Sequence, residues 1–425
     1  MQFIVPKGLE KQKQKGIHAD IFHPFPLILI HTPYGLKFFD YIAKTRIAKA
    51  YARANTYIMP AITLIAILLI ISGISSIISN VSVRENAKAI GLRGNLLIPV
   101  INPILPLTYT LVALVISVFI HEAGHGIVAR VYGIKVESTG IAFVLIIPVG
   151  AFVNLDKDEL SRATLKEKSA VLTAGPLNNM ILAAVSLTLL FLVLSTLTPI
   201  PSTNIPRSGL EIISVTQGSL AEKLGLTQGS SILSIGSTEI RSQNDLLQTL
   251  RSNIGKQPSI VWQNKEGNKI TDNFSIPANI DPTKPILGVR TAAVSLDPKL
   301  ALEFYKKYFT TFDINHIVPI LPPPTLAEQF VPFSDFMAPK YESSIFGPSF
   351  AIIANTLFWL WFINFNLGIF NALPIAFLDG GQLYGSLIES RSKFDKKSLK
   401  NISSAVSTIT IIIVALAIFL PYLPF

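Results

Sequence analysis

The chain has no cysteine among its 425 residues, which excludes disulfides, thiolate metal ligands and a cysteine nucleophile. Any metal must be held by His, Asp, Glu or water. Charge is also scarce: Asp, Glu, Lys and Arg make up 15% of the residues, against about 25% in ordinary soluble domains. Apolar residues make up 50%, mean hydropathy is +0.49, and several unbroken apolar stretches approach the roughly 20 residues that cross a bilayer. A soluble, fibrous or disordered class is excluded. The first residues, Met1 to Asp20, carry Lys7, Lys11, Lys13 and Lys15 but no apolar run ending in small residues, so the expectation is anchoring by the chain's own helices and no cleaved leader. Acidic residues are outnumbered 26 to 36, for a net charge of +10. That excess clusters beside apolar stretches, where lipid head groups and membrane topology favour it. The bilayer is therefore an expected partner, and nucleic acid is not.

Five spans are expected: Ile58 to Ile78, Leu107 to Tyr132, Ala170 to Leu197, Ser349 to Leu373 and Ala405 to Leu423. Residues 1–57 read as a cytoplasmic or interfacial lead-in, broken by Pro24, Pro26 and Pro33 and studded with Lys and Arg. A first membrane part covers 58–200 and a second 347–425; between them lie a soluble segment, 209–289, and an irregular cap, 290–346, with LPPPT at Leu321 to Thr325. Nine Lys or Arg precede the first span, and Arg84, Lys88 and Arg93 follow it. This asymmetry places the N-terminus in the cytoplasm. Alternation then puts Lys157, Arg162, Lys166 and Lys168 inside, with Arg391, Lys393, Lys396, Lys397 and Lys400, and the soluble segment outside. The expected location is the plasma membrane of a prokaryote.

The second span reads LVALVISVFIHEAGHGIVARVYG, with His121, Glu122 and His125 inside an apolar helix. Such groups cost about 2.5 to 3.5 kcal/mol each on insertion scales when charged, so they need a partner or a function. One turn apart, His121 and His125 share a face, and Glu122 lies beside them. In the His-Glu-x-x-His pattern the two His bind zinc and the Glu is a general base. Catalytic zinc normally takes three protein ligands. His18, His23 and His31 precede the first span and His316 falls in the cap, so none is at a suitable depth. Asp379 is the better candidate, in NALPIAFLDGGQL, where Asn371 and Pro374 end a helix and Gly380 and Gly381 permit close backbone approach. The plainer alternative is an N-cap Asp for the next helix.

Together these motifs resemble the site-2 protease family of intramembrane zinc metalloproteases, on HEAGH at His121 to His125 and Asn-x-x-Pro…Leu-Asp-Gly at Asn371 to Gly380. Ala376 stands where the family often has a second Pro. The resemblance implies one zinc ion per chain on His121, His125 and Asp379, with Glu122 catalytic, and transmembrane protein substrates. AGPLNN matches the family's central helix, with Asn179 at its Asn position; helix-to-helix hydrogen bonding and substrate or oxyanion contact both remain open for Asn178 and Asn179. GIAFVLIIPVGAFVNLD, Gly140 to Asp156, resembles the family's membrane-embedded β-loop, so Gly150, Ala151, Phe152 and Val153, like Asn371, are expected to be substrate-binding or structural. In 209–289, a strand, a short helix at Leu220 to Leu224, a strand at Ser231 to Ile235 and a helix near Gln243 to Leu250 resemble a PDZ domain, although Ser230 replaces the usual Asp. That implies binding of a peptide or chain terminus. The expected fold is a polytopic α-helical membrane protein of about five to six transmembrane helices, with a membrane-embedded β-loop and an inserted β-rich PDZ-like domain. Two rivals predict other features. A zinc peptidase of another family needs a downstream Glu ligand, and Glu303, Glu328, Glu342 and Glu389 sit in poor contexts. A non-enzyme, a PDZ-bearing membrane scaffold or a zinc transporter, is the second, and a transporter needs several intramembrane acids along a path where this chain has one cluster.

Overall fold

Apolar runs this long must pair every backbone group internally, so in lipid they fold as helices. The computed structural model describes residues 17–22, 27–95, 105–144, 147–200, 209–264, 267–279, 286–293, 299, 302–303, 306, 333, 338–391 and 395–423. Among them, five helices are long and apolar enough to cross a membrane: Met59–Ser79, Leu107–Val131, Leu165–Ser195, Gly347–Asn371 and Lys397–Tyr422.

The chain divides into two compact units. The first takes the described parts of Met1–Leu192 and Ile352–Phe425. It opens with strands β1 (His18–Phe22) and β2 (Leu27–Thr32) and helices α1 (Leu36–Ala43) and α2 (Arg46–Ala54). Then follow α3 (Met59–Ser79), α4 (Val81–Ile90), α5 (Leu107–Val131), β3 (Val136–Val144), β4 (Ile147–Leu155), α6 (Lys157–Arg162) and α7 (Leu165–Ser195). The four strands form one antiparallel sheet in the order β1-β2-β3-β4.

Two spans start earlier than their apolar runs suggest, because polar caps begin them. Thr164 and Glu167 form a reciprocal cap, Thr164 N donating to Glu167 Oε2 at 2.8 Å and Glu167 N to Thr164 Oγ1 at 3.3 Å. So α7 begins at Leu165 and not Ala170. Asp395 caps the last helix through Lys397 N and Ser398 N, which starts it at Lys396 and not Ala405. The lead-in also differs from expectation: β2 pairs with β3, Leu27 opposite Val144 and Thr32 opposite Thr139. Local pattern hid this, since the partner strand lies on the far side of two spans.

In the same unit, α10 (Phe350–Asn371) ends ahead of Pro374, and α11 (Asp379–Arg391) and α12 (Lys396–Phe419) complete the chain. Between α10 and α11 the backbone doubles back so closely that a Cβ on Gly380 would strike the Ala372 carbonyl, and one on Gly381 the Ile375 carbonyl. Ala66, Leu69 and Ile70 of α3 pack on Ile369, Leu373 and Ile375, fixing this turn in an apolar core.

The second unit takes the described parts of Val193–Thr310 and Pro332–Ala351. Its elements are β5 (Leu197–Pro199), β6 (Leu210–Val215), α8 (Leu220–Lys223), β7 (Ser231–Ile235), β8 (Thr238–Glu239), α9 (Gln243–Ser252), β9 (Ser259–Gln263), β10 (Lys269–Asn273), β11 (Val289–Ala293) and β12 (Tyr341–Ser343). The main sheet runs β10-β9-β7-β6-β11, with β8 on β7. Leu210, Ile212, Ile232, Ile260 and Trp262 bury its core under α8 and α9. The expected irregular cap holds a strand, β12, paired with β5; LPPPT and His316 lie outside the described residues.

Candidate active site

The HEAGH residues sit in the middle of α5 and are buried: His121 and Glu122 are 3% and 4% exposed. Their spacing turns both imidazoles to one side. Asp379, the first residue of α11, joins them, with Oδ2 at 3.1 Å from His121 Nε2 and 3.4 Å from His125 Nε2. The two Nε2 atoms are 3.2 Å apart. Both readings of Asp379 are therefore met in part: it opens a helix, and it also completes a His-His-Asp cluster.

The donor set fits zinc. An ion about 2.0 to 2.1 Å from three atoms in a tetrahedral arrangement separates them by about 3.3 Å, close to what these side chains present. Protonation agrees. His125 Nδ1 lies 2.7 Å from the Val171 carbonyl, which can only accept. The ring proton is therefore on Nδ1, and Nε2 offers a lone pair. His121 Nδ1 lies 3.2 Å from the Asn179 amide, which can present either end to it. Asp379 Oδ2 is buried and accepts no hydrogen bond despite its short distance to the imidazoles. With the Asn179 carbonyl oxygen turned to His121 Nδ1, the proton of that ring also sits away from the cluster, and three electron pairs converge in an arrangement that a cation resolves.

The third span supplies the back wall. A Cβ on Gly175 would press on Nε2 of both His121 and His125, so only glycine leaves room there. Pro176 has no N–H to give Leu172, and the neighbouring Val171 carbonyl orients His125. Asn179, fully buried, touches His121. Asn178 faces elsewhere: its Nδ2 donates to the Ile120 carbonyl at 3.0 Å, and its Oδ1 accepts from Tyr51 at 2.6 Å. The AGPLNN motif points to Asn178, Asn179 and Gly175, but nothing local in the sequence marks Tyr51.

Glu122 Oε2 accepts from Val153 N at 2.9 Å. Val153 is on β4, the edge of its sheet and packed on α5, next to Gly150, Ala151 and Phe152. Phe152 lies over Gly140, with its ring centroid 4.8 Å from that of His31 in an edge-to-face arrangement. His31 itself contacts Asp20 and Ser138, away from the cluster. Asn371 does not reach the cluster through its amide nitrogen, which donates to the Leu367 carbonyl of its own helix at 3.0 Å.

The sequence profile of peptidase family M50 matches residues 109–414, which include His121, Glu122, His125 and Asp379. The chain belongs to this family. It is accordingly a zinc metalloendopeptidase of site-2 protease type and an integral membrane protein. Among its relatives is an uncharacterized protein of Methanocaldococcus jannaschii, 25% identical over 375 residues, covering 87% of this chain and 80% of that one. A Campylobacter jejuni protein provisionally named a zinc metalloprotease is 27% identical over 337 residues, 68% of this chain and 86% of that one. Zinc metalloprotease Rip1 of Mycobacterium tuberculosis is 29% identical over 187 residues, 35% of this chain and 46% of its own length.

Proposed function

We propose that this M50 peptidase cleaves transmembrane segments of membrane-anchored substrates, as in regulated intramembrane proteolysis. The observation that carries the reading is the buried His121, His125 and Asp379 cluster, with Glu122 beside it, inside a helix fit to span the bilayer. Zinc held there supplies a Lewis acid that acidifies a water molecule and polarises a peptide carbonyl. Glu122 takes the proton from the attacking water and returns it to the leaving amine. The Val153 N–H holds that carboxylate in place, and Val171 and Asn179 hold the two imidazoles. A substrate helix must unwind first, because its carbonyls are otherwise paired within the helix.

In this reading the β3–β4 hairpin is the membrane-embedded β-loop, Gly150 to Val153 line the substrate's path, and the second unit is a PDZ-like module for a peptide or chain terminus. The strand and helix order of that unit supports the last point. The N-terminus is cytoplasmic, the PDZ-like module is extracytoplasmic, and the membrane is the prokaryotic plasma membrane.

The deciding experiment uses purified protein in liposomes with a single-span reporter. Glu122→Gln should lower cleavage by about 100-fold or more while the bound zinc is unchanged. Cleavage at the parent rate by that variant removes the reading.

A further inference from the structure

Helix α1 packs the N-terminal segment against α5, and its outer face carries aromatic rings. Phe39 and Ala43 are buried, whereas Tyr34, Phe38 and Tyr41 are 74%, 54% and 74% exposed. Lys37 and Lys44 are exposed among them. Positions 37, 38, 41 and 44 recur at helical spacing, so they form one stripe away from the face that packs on α5, and Tyr34 lies just ahead of the helix, before the left-handed Gly35. Three exposed aromatic rings within eight residues are unusual on a surface left to water.

Its depth follows from what α1 touches. The Phe39 ring lies against Gly126, where a Cβ would collide with it. Asp40 Oδ1 is 3.1 Å from Arg130 Nε. The adjoining helix α2 is tied in by Tyr132, whose hydroxyl donates to the Ala52 carbonyl at 3.1 Å. These contacts fall at the end of α5, which stops at Val131. At about 1.5 Å per residue, Gly126 lies roughly 8 Å from that end and Arg130 within about 2 Å of it. So α1 is held where hydrocarbon gives way to head groups, the layer in which Tyr rings and Lys side chains are enriched. Charge points the same way. Asp40 is the only acidic residue from Pro33 to Ser79, and it is paired with Arg130, while Lys37, Lys44, Arg46, Lys49 and Arg53 stand exposed.

We propose that the α1 face made by Lys37, Phe38, Tyr41 and Lys44, with Tyr34 just ahead of it, docks in the head-group layer of an anionic leaflet, as an interfacial anchor for the catalytic span. The aromatic rings enter the boundary between chains and head groups, and the lysines reach lipid phosphates.

The Cys-free chain allows a direct test. Tyr41→Cys, labelled with bimane in the full-length protein, is placed in phosphatidylcholine vesicles with and without phosphatidylglycerol, with Lys223→Cys as the aqueous control. Lipids brominated just below the glycerol should quench the Tyr41→Cys label roughly twofold more than lipids brominated at the chain end. Aqueous iodide should quench it less than the control, and phosphatidylglycerol should shift its emission to the blue. Lys37→Glu combined with Lys44→Glu should abolish that shift with zinc content unchanged. A label as open to iodide as the control overturns the proposal, and so does one shielded from iodide yet not quenched by any brominated lipid, which assigns the face to a protein contact.

Discussion

A single hydrogen atom at Gly175 decides whether the two imidazoles can meet a metal. Most substitutions near a metal act on the ligands' orientation, but here the added methyl group would occupy the space facing both Nε2 atoms. Gly175→Ala should therefore lower zinc affinity by at least about 10- to 100-fold, read as metal retained after dialysis against a weak chelator. Full zinc retention would mean that α7 stands further from α5 than described. Tyr51 works beside Gly175, on Ala174 and Asn178 of the same helix. Burial pushes the pKa of its hydroxyl up, so it stays a donor at neutral pH and keeps Asn178 turned to the Ile120 carbonyl, one residue before His121.

Among the elements, β4 has an uncommon task, since one of its backbone amides serves a carboxylate and not a neighbouring strand. Val153 lies opposite Thr139 in the ladder, but its N–H goes to Glu122. Proline is tolerated at strand edges where the N–H is not used by the sheet, so Val153→Pro removes this donor with little harm to the ladder. Its turnover should fall about tenfold or more with zinc content unchanged, an effect in line with losing a charge-assisted hydrogen bond. Unaltered turnover would show that Glu122 needs no support from the sheet. The elements also show what the sequence makes legible. HEAGH could be read because helical geometry places His121 and His125 together whatever surrounds them. LDGG could be read because Pro374, Gly380 and Gly381 mark a tight turn. By contrast, nothing in HADIF or LILIHT names a partner on the far side of α3 and α5, and helix starts at Leu165 and Lys396 depend on caps outside the apolar runs.

For the whole molecule, the distribution of basic residues predicts an orientation that can be tested without any activity assay. Ser237→Cys, in the second unit, should react with a membrane-impermeant maleimide in intact cells, and Ser161→Cys, in α6, only after permeabilisation. The opposite pattern inverts the topology. The four-stranded sheet has another consequence, one of timing. Strand β2 leaves the ribosome about a hundred residues ahead of β3, and at roughly 5 to 20 residues per second it waits on the order of 5 to 20 seconds for its partner. During that interval two spans must be inserted while the edge of β2 that will take β3 stays open, with β1 its one available partner. The piece of sheet that steadies β4, and through it Glu122, is thus the first part made and among the later parts assembled, and a nascent chain stalled before Val136 holds both histidines but has nothing yet to fix the base between them.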